Sequence, residues 1–111
     1  DEVYALTKAV DEAMDLIRGI TGSAINWSPT KSGRPPADAP WHDGAIRYLK
    51  ERGIWTAEDQ AWQDRRLARL RRIQAGWEDA RKSFGGNGDD AWVAHWEKYR
   101  VERLGLPPAD V

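Results

Sequence analysis

The sequence predicts an all-α chain, and three observations carry that reading. Apolar residues recur at alternating steps of three and four through most of the 111 residues, which is the spacing of one helix face. No stretch sustains the period-two alternation of a half-buried strand. Glycines and prolines gather between the periodic runs, where helices start and stop. These runs delimit four amphipathic helices, at roughly 2–20, 43–52, 57–84 and 89–104, and a long Pro/Gly-rich connection at 21–42.

In the first helix, Val3, Leu6, Val10, Ala13, Met14, Ile17 and Ile20 form the apolar stripe, with Asp11, Glu12, Asp15 and Arg18 on the wet side. Gly19 and Gly22 supply the stop. The connection that follows holds Pro29, Pro35, Pro36 and Pro40, each removing a backbone donor, and reads as extended chain without regular structure. So long an irregular stretch is uncommon in a compact domain, and it reads as a wrapping strap or a partner-facing loop. Trp27 and Trp41 near its ends favour the strap, because a solvated linker rarely carries large aromatics.

Asp43 is the expected N-cap of the second helix, where Ala45, Ile46 and Leu49 share a face and Gly53 closes the end. Thr56 is placed to cap the third, with Glu58 and Asp59 in its first turn, where carboxylates meet the positive end of the helix dipole. Its stripe is Trp62, Leu70, Ile73, Trp77, Ala80 and Phe84. Gly76 inside it predicts a close helix crossing or a bend. Gly85, Gly86 and Gly88 break this helix, and Asp89 and Asp90 open the fourth, which carries Trp92, Val93, Trp96 and Tyr99 in an aromatic stripe. Gly105, Pro107 and Pro108 end it. Of the seven tryptophans, Trp62, Trp77, Trp92 and Trp96 fall at core spacing.

Composition narrows the function classes. The chain is one helical domain over 1–111 or a C-terminal fragment of a larger protein. Seventeen Lys and Arg against 18 Asp and Glu give a net charge of −1, which removes the bulk field expected of a nucleic-acid binder. With no cysteine there is no disulfide framework, thiolate nucleophile or thiolate metal site. Mean hydropathy is −0.76, and no apolar run approaches a spanning helix, so direct membrane insertion is not expected.

The one candidate ligand-binding residue is Arg66. Helical winding sets it near the middle of the Trp62, Ile73, Trp77, Phe84 stripe, with Arg65, Arg69 and Arg72 on the flank. An inward guanidinium must be paired or hydrogen-bonded. It could contact an anion such as a carboxylate, form an internal ion pair, or lay its stem along a tryptophan with its head in water. His42 and His95 lie in no metal-binding or catalytic pattern; His42 supports the start of a helix and His95 reads as a half-buried ring. Gly85-Gly86-Asn87-Gly88 lacks the strand and lysine of a phosphate loop. No catalytic residue, metal site or cofactor is nominated, and the chain is not expected to be an enzyme.

Two stretches carry a family resemblance. Val3-Tyr4-Ala5-Leu6-Thr7-Lys8-Ala9-Val10, and then Trp41-His42-Asp43-Gly44-Ala45-Ile46-Arg47-Tyr48-Leu49-Lys50-Glu51-Arg52-Gly53-Ile54-Trp55, resemble the C-terminal part of the TAXI group of TRAP-transporter solute-binding proteins. Thr56, Ala57 and Glu58 with Leu67, Leu70, Gln74 and Trp77 resemble the tail many of them carry. The likeness covers about residues 1–84, with Asp43 where the family usually has proline, and 85–111 match nothing in it. The resemblance implies a periplasmic receptor of the type II binding-protein α/β fold, closing two lobes on a small organic anion for a membrane permease. This chain would be its helical C-terminal part, without the strands and most solute contacts. Helices removed from such a fold keep an uncovered apolar face, so self-association or a larger protein partner is expected. The alternative is a stand-alone helical interaction module or accessory subunit.

Overall fold

The computed structural model describes residues 1–109, and the chain is all-α. Among the described residues six α-helices follow one another: α1 (Glu2–Glu12), α2 (Met14–Ile17), α3 (Pro29–Ser32), α4 (Asp43–Glu51), α5 (Ala57–Ser83) and α6 (Asp89–Glu102). A single 3₁₀ segment, Gly22–Asn26, lies between α2 and α3, and no strand is present among the described residues. The chain divides into two compact units, Asp1–Arg66 and the part from Leu67 onward.

In the first unit the expected opening helix is two pieces. It breaks at Ala13 (φ −80°, ψ −7°), where the Leu16 amide donates to a carbonyl only three residues back, and regular helix stops at Ile17, short of Gly19. The inward face also differs from the apolar stripe. Val3, Tyr4, Thr7 and Asp11 are part-buried and Met14 is buried, whereas Leu6 and Val10 are 65 % and 52 % exposed. Tertiary pairing overrides hydrophobic periodicity here. Asp11 accepts from the Tyr48 hydroxyl at 2.7 Å and from Arg52 Nε at 2.9 Å, and Tyr4 donates to Glu51 at 2.5 Å while its ring meets Tyr48 edge-on.

Against this polar face sits α4. Its cap is His42, whose Nδ1 accepts from the Gly44 amide at 3.0 Å, so Asp43 is the first helical residue and His42 takes the role expected of Asp43. The reason is orientation: an extended His42 (φ −68°, ψ 145°) aims its ring back at the second amide, and Asp43 then sits at the dipole's positive end. Gly44 is the closest approach, since a Cβ there would lie 2.9 Å from the Tyr4 amide nitrogen and 2.6 Å from an Asp1 carboxylate oxygen. The apolar core of this unit is Ile46, Leu49 and Trp55, flanked by Trp41 and Ile54.

The connection is not wholly irregular: the 3₁₀ segment and α3 lie within it, and Ala24 is fully buried. Pro29 suits the first position of α3, where its missing amide would have no partner. At the other end Trp41 packs edge-on against Trp55 and Trp62, each at 5.8 Å, which makes it the strap anchor that its size suggested.

In the second unit α6 packs on the C-terminal half of α5. Gly76 is buried, and a Cβ there would meet a Leu104 methyl at 2.9 Å and the Tyr99 ring at 3.3 Å, so the glycine permits the close crossing. Ala80 and Leu104 complete the buried set. The tryptophans expected in a core instead pack on one another half-buried: Trp77 meets Trp92 and Trp96 edge-on at 4.8 and 5.0 Å, and stays 36 % exposed. A two-helix layer has too little depth to enclose an indole, and mutual edge contacts are the available burial. Gly105 (φ 62°) ends α6 and turns the chain back, with the Leu106 amide on the Arg100 carbonyl and the Ala109 amide on Glu97.

Candidate functional site

Arg66 belongs to a ladder along the first half of α5, formed by Asp59, Gln63 and Arg66 at i, i+4 and i+7 on one helix face. The ladder begins at the cap. Thr56 Oγ1 accepts from the Asp59 amide at 3.1 Å and Asp59 Oδ2 accepts from the Thr56 amide at 3.0 Å, a reciprocal pair that fixes the Asp59 carboxylate. Onto that carboxylate Arg34 donates two bonds, Nε at 3.0 Å and Nη2 at 3.3 Å. Gln63, 1 % exposed, accepts from the Trp41 amide at 3.0 Å and donates to the Trp41 carbonyl at 2.8 Å. Arg66 Nη2 donates to the Ala37 carbonyl at 3.2 Å, and its guanidinium lies 5.1 Å from the Trp62 ring centre.

Each rung therefore holds a point of the strap, at Arg34, Ala37 and Trp41. Asp59 is 4 % exposed. Burial is the largest influence on its carboxyl and pushes it up, but the hydrogen bonds from Arg34 and Thr56 together outweigh that and hold it below the usual range. Arg66 meets a backbone carbonyl where the sequence reading offered an anion, an internal ion pair or a tryptophan, and it does lie over Trp62. Gln63 was not singled out from the sequence, and its signal was visible: an amide one turn from Asp59, beside Trp62.

Beside the strap runs an apolar groove of about 370 Å³. Leu6 and Val10 of α1, Ala45 and Leu49 of α4, and Pro29, Ser32 and Gly33 of the strap line it. Trp27, 50 % exposed, and Trp41 stand within its lining. A groove of this kind suits an apolar surface or side chain and carries no titratable group disposed for chemistry apart from Asp11, which Tyr48 and Arg52 already occupy.

His42 is spent on capping, as above. His95 is half-buried, and its Nε2 lies 2.9 Å from the Ala80 carbonyl, which only accepts; that nitrogen therefore carries the proton and cannot take one from Ser83, 3.3 Å away. This geometry is unsuited to Ser-His nucleophilic catalysis. Among the described residues, no group of three or more His, Asp or Glu is disposed to hold a metal ion, and no helix is long and apolar enough to cross a membrane. No protein-family model matches the chain, and comparison with curated proteins and with solved structures finds no match either.

Proposed function

We propose that this chain is the C-terminal helical region of a TAXI-type solute-binding protein, a periplasmic receptor that delivers a small organic anion to a membrane permease. Within it, the α1–α4 pair acts as scaffold, packing against an α/β lobe through the apolar groove. One observation carries this reading: the two stretches that resemble the family are the two helices that dock on each other, and the docked pair leaves large apolar side chains uncovered. Tyr4 from the first stretch meets Gly44 and Tyr48 from the second, and the Arg47 guanidinium lies 4.2 Å from the Tyr4 ring centre. The resembling residues thus have a shared packing role. Leu6, Val10, Leu16, Ile20, Ile25 and Trp27 are each half or more exposed in this unit. Exposed apolar side chains in such number mark a surface that another protein surface covers.

In this reading Arg66 holds the strap in place, and solute contacts belong to the lobes. Native mass spectrometry on the receptor isolated from a periplasmic extract tests the proposal. A small organic anion released from a polypeptide containing this chain supports it. Recovery of the chain as a separate subunit of a larger assembly supports the interaction-module alternative and overturns the receptor reading.

A further inference from the structure

We infer that the strap is a detachable wall of the apolar groove, held shut by a polar latch on α5, so that the groove has a closed and an open state. No residue from Ile25 to Asp43 is itself buried, so lifting this segment withdraws no side chain of its own from the core. Its two ends are fixed in other ways. Ala24 is fully buried at one end, and at the other Trp41 is gripped by two tryptophan rings and by both backbone bonds to Gln63. Between these anchors the hydrogen bonds to α5 are the Arg34 pair with Asp59 and the single bond from Arg66 to Ala37, and Pro35 and Pro36 lie near Trp62.

Pro29, Ser32 and Gly33, which form the groove wall, all lie in the segment between the anchors. Release of Arg34 and Ala37 therefore moves that wall away from Leu6 and Val10 and opens the groove over Ala45 and Leu49, while Tyr4–Glu51, Tyr48–Asp11 and Arg52–Asp11 keep α1 on α4. A polar latch over an otherwise unburied segment opens locally, at a cost well below that of unfolding the unit. The bonds within α3 do not hold the strap, because a helix of four residues has no stability of its own in water and frays once its support is lost.

The test weakens the latch from each side without touching the cap of α5. In Arg34→Gln and in Arg66→Met, hydrogen–deuterium exchange of the Lys31, Ser32 and Gly33 amides is expected to accelerate about tenfold, the loss of one or two charge-assisted hydrogen bonds, while the α4 amides keep their wild-type rates. Spin labels on Leu6→Cys and Ser32→Cys, in a chain with no native cysteine, report the wall itself; Arg34→Gln is expected to add a longer-distance population. Unchanged strap amides in both variants, or an unchanged label distance, overturn the latch. Equal acceleration of strap and α4 amides overturns it too, because the strap is then part of the cooperative core.

Discussion

Gly44→Ala is the sharpest test of how α1 docks on α4. An added methyl would sit 2.6 and 2.9 Å from the Asp1 carboxylate oxygens and 2.9 Å from the Tyr4 amide nitrogen. The Asp1 side chain can swing aside, at the loss of its bond to the Val3 amide (3.2 Å) and of its 3.9 Å approach to Arg47. The Tyr4 nitrogen cannot move unless α1 lifts, and lifting stretches the Tyr4–Glu51, Tyr48–Asp11 and Arg52–Asp11 bonds together. Overpacking of this kind costs about 1–3 kcal/mol. Alanine's helix propensity returns less than about 1 kcal/mol. The expected net loss is about 1–2 kcal/mol, or a Tm lower by about 4–16 °C in a unit of this size. Urea and thermal unfolding measure it, with Gly85→Ala as control, because a Cβ at Gly85 meets nothing within 4 Å. Adding Asp1→Ala to Gly44→Ala is expected to leave most of the loss in place. Wild-type stability in Gly44→Ala, or full rescue by Asp1→Ala, would refute docking through the α1 backbone.

Three further outcomes are expected. Burial first, and then its hydrogen bond to Asp11, push the Tyr48 hydroxyl up to about 12, so the stability it confers is intact below pH 10 and is lost as pH rises through 12. Hydrogen bonds to Glu51 and Asp79 also raise Tyr4 and Tyr99, so a spectrophotometric titration should show three late phenols, the last of which disappears in Tyr48→Phe, with a stability loss of about 1–2 kcal/mol at neutral pH. Asp59 acts in the opposite direction: its lowered pKa contributes stability above the unfolded value of about 4, and that contribution is lost as pH falls through the folded value. Acid unfolding of Arg34→Gln should accordingly be less steep with pH than wild type. His42→Ala should cost about 1 kcal/mol in urea unfolding and His42→Asn only a few tenths, because asparagine caps a helix in the same way.

Three of the four expected helices were legible to within two residues, because their signals are local: Gly53 after α4, Thr56 with Asp59 before α5, the glycine run after Ser83, and the Asp89–Asp90 start of α6. The close crossing at Gly76 was equally legible, since glycine in a helix interior needs a reason. What escaped was decided by distant partners. The inward turn of Tyr4 and Asp11 depends on Tyr48, Glu51 and Arg52, partners 37 to 47 residues further along the chain, whereas the Thr7 hydroxyl donates locally to the Val3 carbonyl. Arg66 was correctly placed on the half-buried face, but its Ala37 partner lies in the strap, where no periodicity announces which carbonyl will be presented. The tryptophans obeyed helical spacing and still stayed half-exposed, because spacing gives the face and says nothing of the depth of the layer that covers it.

The most direct test of the receptor reading is the mass of the native polypeptide that contains this chain, measured after capture from the cell with an antibody against α4. A periplasmic protein several times heavier than 12.6 kDa, whose added sequence folds as α/β lobes, is the predicted result. A polypeptide of 12.6 kDa would contradict it.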